Sequence, residues 1–309
     1  MQIFKPFFWN KKNSLFSIML IPISILLQFI IKIKKKFSTS KKFNIPIICV
    51  GNIYIGGTGK TPLSILIANE LRKNELRPVI IKKYYKSHKD EHELIKSKNE
   101  NLILKNNRVS AIKEAEMKNF NIAILDDGFQ DYSIKKNLNI LCFNTRQLVG
   151  NNFTFPSGPL RESMQSIKDS QIIVLNGHKN EDFEKKIFSV SKEISIYYSK
   201  YNPLNINLFK GKKIFAFAGI GNPDNFFHTL IENKIKIIKK IKFPDHYNFS
   251  KLEIQKMVDF SNKNNLELVT TEKDYYRIKS YGFKNIHYLK IELEIFEINK
   301  FLNEIKNNL

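Results

Sequence analysis

The sequence is poor in cysteine and acidic side chains, and each shortage narrows the reading. Its two cysteines, Cys49 and Cys142, sit inside apolar runs that read as buried strands, which provides neither a disulfide framework nor a zinc site. A reducing compartment is the simplest inference. Asp and Glu number 29 against 51 Lys and Arg, a formal net charge of +22. Such an excess invites a nucleic-acid or membrane partner. Lysine is nevertheless spread over the whole chain beside isoleucine and asparagine, and no dense basic stripe interleaves with aromatics, so nucleic acid is set aside. No repeat of fixed period is visible. Long hydrophobic runs are missing too, with one exception at residues 15–31, LFSIMLIPISILLQFII. A spanning helix wants about twenty apolar residues, and Pro22 and Gln28 weaken this one. A basic run rather than a small-residue cleavage site follows it, which argues against a signal peptide. Lys11, Lys12 and Lys32 flank it, with Lys34, Lys35 and Lys36 beyond, an arrangement suited to a helix lying among anionic headgroups. A hydrophobic core helix and a single span are the alternatives.

What is there is globular. A chain of 309 residues with 42% hydrophobic content can build two domains with separate cores. After the basic hinge KKKFSTSKK, short apolar runs alternate with helical stretches. IPIICVGN, RPVIIKK, NLILK, NIAILDD, LNILCFN and QIIVLNG read as strands, and residues 64–73 and 110–118 as helices between them. Near-continuous apolar strands separated by helices predict a parallel sheet covered on both faces. A second series, KKIFAFAGIGN, IKIIKKIKF, LELVTTEKD and NIHYLKIEL, carries helices near residues 225–232 and 251–262. The stretch YNPLNINLFKG, residues 201–211, is taken as the linker. The expected organisation is α/β: an N-terminal helical segment (1–38), a phosphate-loop domain (39–200) and a second three-layer α/β/α domain (201–309) that contributes to the active-site cleft.

The chemistry begins at CVGNIYIGGTGKTPLSIL, residues 49–66. A strand, a glycine-rich turn and a helix start follow in that order, the geometry by which backbone N–H groups and a helix N-terminus hold phosphate. Gly56, Gly57, Thr58 and Gly59 form the cradle. Lys60 would reach the β- and γ-phosphates, Thr61 would hold magnesium, and Pro62 suits the first helical turn. The usual first glycine of the pattern falls on Tyr54. Read blandly, such a glycine turn only joins a strand to a helix, but adjacent Lys-Thr makes a nucleoside triphosphate the better reading. In NIAILDDGFQ, Asp126 and Asp127 directly follow an apolar strand, where phosphate-loop folds place the carboxylate toward magnesium. An Asp-Asp at a strand end is by itself more often a turn.

With these residues assembled, the chain resembles the lipid A 4'-kinases (tetraacyldisaccharide 4'-kinases). VGNIYIGGTGKTP, LDDGFQ, FPSGPLRE, FAGIGNP, FPDHY and TTEKD carry the resemblance, in the family's order, between residues 46 and 274. The N-terminal apolar helix after FFW is similar to that family's membrane-contacting helix. KKYYK, residues 82–86, stands where the family usually has a Ser-Arg-Gly-Tyr-Gly turn. The resemblance implies a phosphate-loop fold, ATP and Mg2+, an acylated glucosamine disaccharide phosphate as acceptor, and a peripheral or monotopic position on the cytoplasmic face of the bacterial inner membrane. It also implies Asp90 as the base, His246 as its support, Glu91 toward the metal, Arg161 as a stabiliser of the transferring phosphoryl group or a holder of the substrate phosphate, and Gln130 as an active-site partner. Without it, Asp90 in SHKDEHE would read as solvated surface and His88 and His92 as lone histidines. Two rivals remain: a deviant phosphate-loop ATPase acting as a membrane switch, which would carry lysine where this chain has Ile55, and a soluble phosphate-loop ligase or kinase.

Overall fold

The computed structural model describes residues 6–12, 14–85, 89–98 and 100–309. Lys86 and His88, named above, lie outside the described residues. The chain forms two compact units: a larger one from Pro6–Tyr84, Asn99–Lys200 and Leu293–Leu309, and a smaller one from Tyr85–Lys98 and Tyr201–Glu292.

The larger unit is built on a sheet of eight strands. β1 (Ile47–Gly51), β2 (Pro78–Lys83), β3 (Leu102–Lys105), β4 (Ile122–Asp126), β5 (Leu138–Asn144), β6 (Ile172–Asn176), β7 (Ser195–Pro203) and β12 (Ile291–Ile295) lie in the order β12-β7-β6-β5-β1-β4-β2-β3. All the pairs from β3 to β7 are parallel. β1, β4, β5 and β6 are buried along almost their whole length, as a sheet covered on both faces requires. Helix α2 (Lys60–Lys73) turns Leu63, Ile67 and Leu71 inward. On the opposite face, Ala111, Ile112 and Ala115 of α4 (Arg108–Met117) and Phe183 and Ile187 of α5 (Glu181–Phe188) pack with Ile47, Cys49, Val79 and Leu125. β1 lies between β4 and β5, so the strand order reverses there, and the carboxyl end of β1 is the place where such sheets receive ligands.

Helix α1 (Leu15–Lys36) is apolar on the outside and polar on the inside. Its buried residues are Ser17 and Ser24, while Leu15, Met19, Ile25, Leu26 and Phe29 are each more than half exposed. At about 100° per residue, Ser17, Ser24, Gln28 and Lys35 share one narrow stripe, and every one of them binds the larger unit. Ser24 Oγ donates to Thr154 O (2.9 Å), Gln28 Nε2 to Arg161 O (3.0 Å), Ser17 accepts from Asn151 Nδ2 (3.0 Å), and Lys35 pairs with Asp169. The core-helix alternative is therefore corrected, because a core helix would bury its apolar face. The lone tryptophan, Trp9, is buried against the same loop, with Nε1 donating to Pro156 O (3.1 Å).

In the smaller unit, β8 (Lys213–Ala218), β9 (Lys236–Lys242), β10 (Glu267–Thr271) and β11 (Ile286–Leu289) form a parallel sheet in the order β11-β10-β8-β9. Alternation along β8 sends Ile214, Ala216 and Ala218 to α6 (Pro223–Glu232), and Phe215 and Phe217 to α7 (Lys251–Lys263). α8 (Glu272–Ile278) follows β10 directly, and α3 (Lys89–Ser97) packs against it.

Three expectations need correction. The boundary between domains does not fall once at residue 200, because α3 joins the later unit and the chain returns to the earlier one after residue 292. There α9 (Ile298–Asn307) buries Phe301 against Tyr197, and Tyr197 Oη donates to Glu304 (2.6 Å). NIHYLKIEL is two strands in different sheets rather than one. The 201–211 stretch is more than a linker, since it completes β7 and buries Phe209 in the smaller core.

Asn151 ties α1 to its seat, because its Nδ2 donates to Ser157 O and Ser17 Oγ, each at 3.0 Å. Asn151→Ala strands buried acceptors, which costs about 1–3 kcal/mol. We expect a lower urea midpoint and a red shift of Trp9 emission in the folded protein. An unchanged midpoint and emission maximum would show that the apolar helix holds itself in place.

Candidate functional site

The larger unit gathers most of the expected residues at the carboxyl end of β1. The parallel register places Val50, near the end of β1, opposite Asp126, the last residue of β4. The glycine-rich turn leaves β1 and enters α2 through Gly59, whose φ of 103° lies in the left-handed region, as does that of Gly56 at 127°. These are backbone conformations that glycine adopts without strain. Asn52, fully buried, braces the turn from beneath by donating to Gly56 O (3.2 Å) and Thr58 Oγ1 (3.0 Å). Tyr54 replaces the usual glycine because it faces the core: it is 1% exposed and bridges Leu160. The adjacent Ile55 N–H donates to Pro159 O (2.8 Å).

Around this turn lie Asp126 and Asp127, with Lys60, Lys82, Arg108 and Arg161 close by. The Thr61 hydroxyl donates to Asp126 Oδ2 (2.8 Å), and Lys82 Nζ stands 2.6 Å from the same oxygen. Asp126 is fully buried, and among the described residues nothing hydrogen-bonds its other oxygen, Oδ1. Asp127 holds a left-handed φ of 59° and faces Lys60 Nζ (3.6 Å) and Arg161 Nη1 (2.9 Å). Burial pushes the Asp127 carboxyl up, but Lys60, Arg161 and Lys82 outweigh it and hold its pKa well below the usual carboxylate range. Arg108 donates to Asp127 O (2.7 Å) and pairs with Asp131 (3.3 Å). Gln130 links the loop to Arg161: its Nε2 donates to Asn52 O (3.0 Å), and its Oε1 accepts from Arg161 Nη1 (3.3 Å). Unpaired buried oxygens cost free energy unless a ligand or ion meets them. Asp126 Oδ1 beside the Thr61 hydroxyl therefore fits a magnesium ion, which takes one or two carboxylates and leaves its remaining positions to phosphate and water.

The smaller unit assembles a second cluster. Asp90 and Glu91 open α3, and both are buried. This corrects the surface reading of SHKDEHE, because α8 supplies the cations that make burial tolerable. Arg277 Nη2 donates to Asp90 Oδ2 (2.6 Å), while Nη1 donates to Asp274 Oδ1 (2.5 Å) and Gly219 O (2.6 Å). Lys273 Nζ meets Glu91 Oε1 at 2.6 Å. His246, at a left-handed φ of 54°, places Nδ1 3.5 Å from Asp90 Oδ1 and Nε2 4.0 Å from Glu91. A non-glycine residue held in that region is strained, and such strain concentrates at functional positions. Burial raises the Asp90 pKa; contact with His246 and the charges of Arg277 and Lys273 more than offset this, and the carboxyl ends well below its ordinary range. Glu91, expected to face a metal, is ion-paired to Lys273. Among the described residues no group of three or more His, Cys, Asp or Glu forms a metal cage.

Lys82, Arg108, Lys273 and Arg277 were not among the expected site residues. Lysine is so abundant that Lys82 and Lys273 carried no signal. Arginine is not: the chain has six, and Arg108, Arg161 and Arg277 all bind these two clusters. Its planar fork suits buried carboxylates better than an ammonium does, so rarity was the readable clue.

Comparison with known proteins fits this geometry. The Tetraacyldisaccharide-1-P 4'-kinase family (LpxK) matches residues 16–309. A protein of Pelagibacter ubique (strain HTCC1062) named tetraacyldisaccharide 4'-kinase is 43% identical, covering 99% of this chain and 98% of its own. One of the same name from Rickettsia canadensis (strain McKiel) is 34% identical over 97% and 95%. In fold, the chain is similar to LpxK from Aquifex aeolicus, solved in complex with ATP, with a TM-score of 0.72 and 24% identity, covering 94% of this chain and 99% of that one. With a match that runs from residue 16 to the last residue, and relatives above 30% identity across nearly the whole length, the chain belongs to the tetraacyldisaccharide 4'-kinase family.

Proposed function

We propose that the protein is an ATP-dependent kinase that phosphorylates the 4'-hydroxyl of the tetraacyldisaccharide 1-phosphate precursor of lipid A. The observation that carries this reading is the Thr61–Asp126 hydrogen bond at the mouth of a glycine turn, in a chain of this family. It brings a phosphate cradle and a metal-binding carboxylate to one point. The turn's backbone N–H groups and Lys60 hold the β- and γ-phosphates of ATP. Thr61 and Asp126, with Asp127 beside them, would hold magnesium, which neutralises phosphate charge when bound. Arg161, steadied by Asp127 and Gln130, takes up the charge that develops on the transferring group. Asp90 with His246 receives the hydroxyl proton. Arg277 occupies Asp90 Oδ2 and leaves Oδ1 toward the imidazole, so Asp90 acts as one unit with His246. The apolar face of α1 lies against the cytosolic face of a bacterial inner membrane, with the flanking lysines on anionic headgroups, as a peripheral or monotopic anchor.

The decisive experiment is incubation with labelled ATP and the disaccharide lipid precursor, followed by chromatography for an added monophosphate. Folded protein that leaves the lipid unlabelled would overturn the reading.

Lys60→Ala should abolish transfer and leave the melting temperature nearly unchanged, since Arg161 still pairs Asp127 at 2.9 Å. Wild-type turnover would reduce the glycine turn to a connector. Asp90→Asn and His246→Ala should each lower kcat by about 10²–10⁴-fold, the range of general-base contributions. The double variant should lose far less than the product of the two losses, because both act on one proton. Despite burial, His246, Arg277 and Lys273 hold the Asp90 carboxyl well below the usual carboxylate range, so the Asp90→Asn deficit should stay constant from about pH 6 to 9. A deficit that vanished at either end of that range, or multiplicative losses, would separate the two roles. High salt or alkaline carbonate should release part of the protein from membranes, because charge attraction is screened. Release by detergent alone would establish a span.

A further inference from the structure

Gln28 is an anomaly that neither anchoring nor phosphate binding explains. It interrupts an apolar helix, and a membrane-facing helix gains nothing from an amide. Its position gives the reason. Gln28 Nε2 donates to the backbone carbonyl of Arg161 (3.0 Å), while the Arg161 N–H donates to Ile53 O (2.7 Å) in the segment between β1 and the phosphate turn. The peptide groups of Arg161 are therefore held on both sides, by α1 and by the segment that leads into the phosphate turn. From that fixed backbone the guanidinium reaches Asp127 Oδ1 and Gln130 Oε1. Upstream, the same loop is held by the same helix stripe: Ser24 Oγ donates to Thr154 O (2.9 Å), and the Ser157 N–H donates to Ser24 Oγ (3.0 Å).

We propose that Gln28 is a positioning residue for Arg161, so that α1 sets the aim of the guanidinium as well as meeting the membrane. This rests on the kinase reading for its effect on turnover, and on geometry alone for its effect on the loop. Gln28→Leu keeps the size and apolar character of the helix and removes the donor. Gln28→Lys keeps a donor on a side chain of similar reach. Misplacing a charge-stabilising group by a fraction of its contact distance affects the transition state more than the ground state.

The experiment measures kcat and nucleotide KM for the two variants, in wild-type and Arg161→Ala backgrounds. It adds co-sedimentation with anionic phospholipid vesicles and amide hydrogen exchange across residues 150–161. Gln28→Leu should lower kcat by about tenfold with nucleotide KM within about twofold. Vesicle binding should equal wild type, exchange at the Arg161 amide should be faster, and Gln28→Lys should recover most of the loss. In the Arg161→Ala background, Gln28→Leu should cause no further loss, because its route to the reaction is already gone. Multiplicative losses, or wild-type exchange in the loop of Gln28→Leu, would overturn the proposal. If the wild-type protein does not phosphorylate the disaccharide lipid, the kinase reading falls, and the exchange measurement still decides whether Gln28 holds the loop.

Discussion

The hydrogen bond from the Thr61 hydroxyl to Asp126 is the contact on which the arrangement around the larger unit's glycine-rich turn depends. It can form only because β1 and β4 are parallel neighbours in a register that brings their carboxyl ends level. Thr61, at the start of α2, and Asp126, the last residue of β4, are more than sixty residues apart in sequence. A register slip of one residue would point Asp126 to the other face of the sheet. Lys82 enters from β2 on the far side of β4 and pairs with the same carboxylate oxygen. A buried ion pair of this kind contributes little net stability, yet losing one partner is expensive. The three adjacent strands are thereby locked in alignment where alignment matters most.

How much of this could be read from the sequence differs sharply between the units. The strands of the larger sheet are short, apolar and bounded by turn residues, so IPIICVGN or NIAILDD could hardly be mistaken. The phosphate turn follows from local pattern alone, whereas Asp126 is readable only because that turn precedes its strand. α3 was illegible by the same rules: KDEHELIKS carries more charge than a buried helix normally tolerates, and its burial depends on Lys273 and Arg277, more than 180 residues later in the chain. NIHYLKIEL defeats the reading for a related reason. A single residue between β11 and β12 moves the chain from one sheet to another, and nothing in an apolar run marks such a change of partner.

Helix α1 inverts the usual rule for a surface helix. Hydrogen bonds donated by Ser24 and Gln28 and one accepted by Ser17 hold it, and its hydrophobic side chains point away from the protein. An exposed apolar surface of this extent on a soluble protein is normally an interaction site. Periodicity alone could not separate this arrangement from a core helix, because the stripe it presents inward has only four members. Their chemistry and spacing, rather than the abundance of leucine and isoleucine, were the readable sign.

The return of the chain to its first sheet has a consequence during synthesis. β12 and α9 belong to the larger unit, yet they leave the ribosome only after the whole of the smaller unit. Domains usually acquire structure in the order in which they are made. Here the earlier unit must wait with β7 as an open edge, and with the surface that Phe301 will cover exposed to solvent. A nascent chain paused after the second unit would therefore carry a finished small core beside an unfinished large one. An open strand edge of that kind is a template for unwanted pairing, so β12 and α9, made after the smaller unit, complete the part of the fold that was begun first.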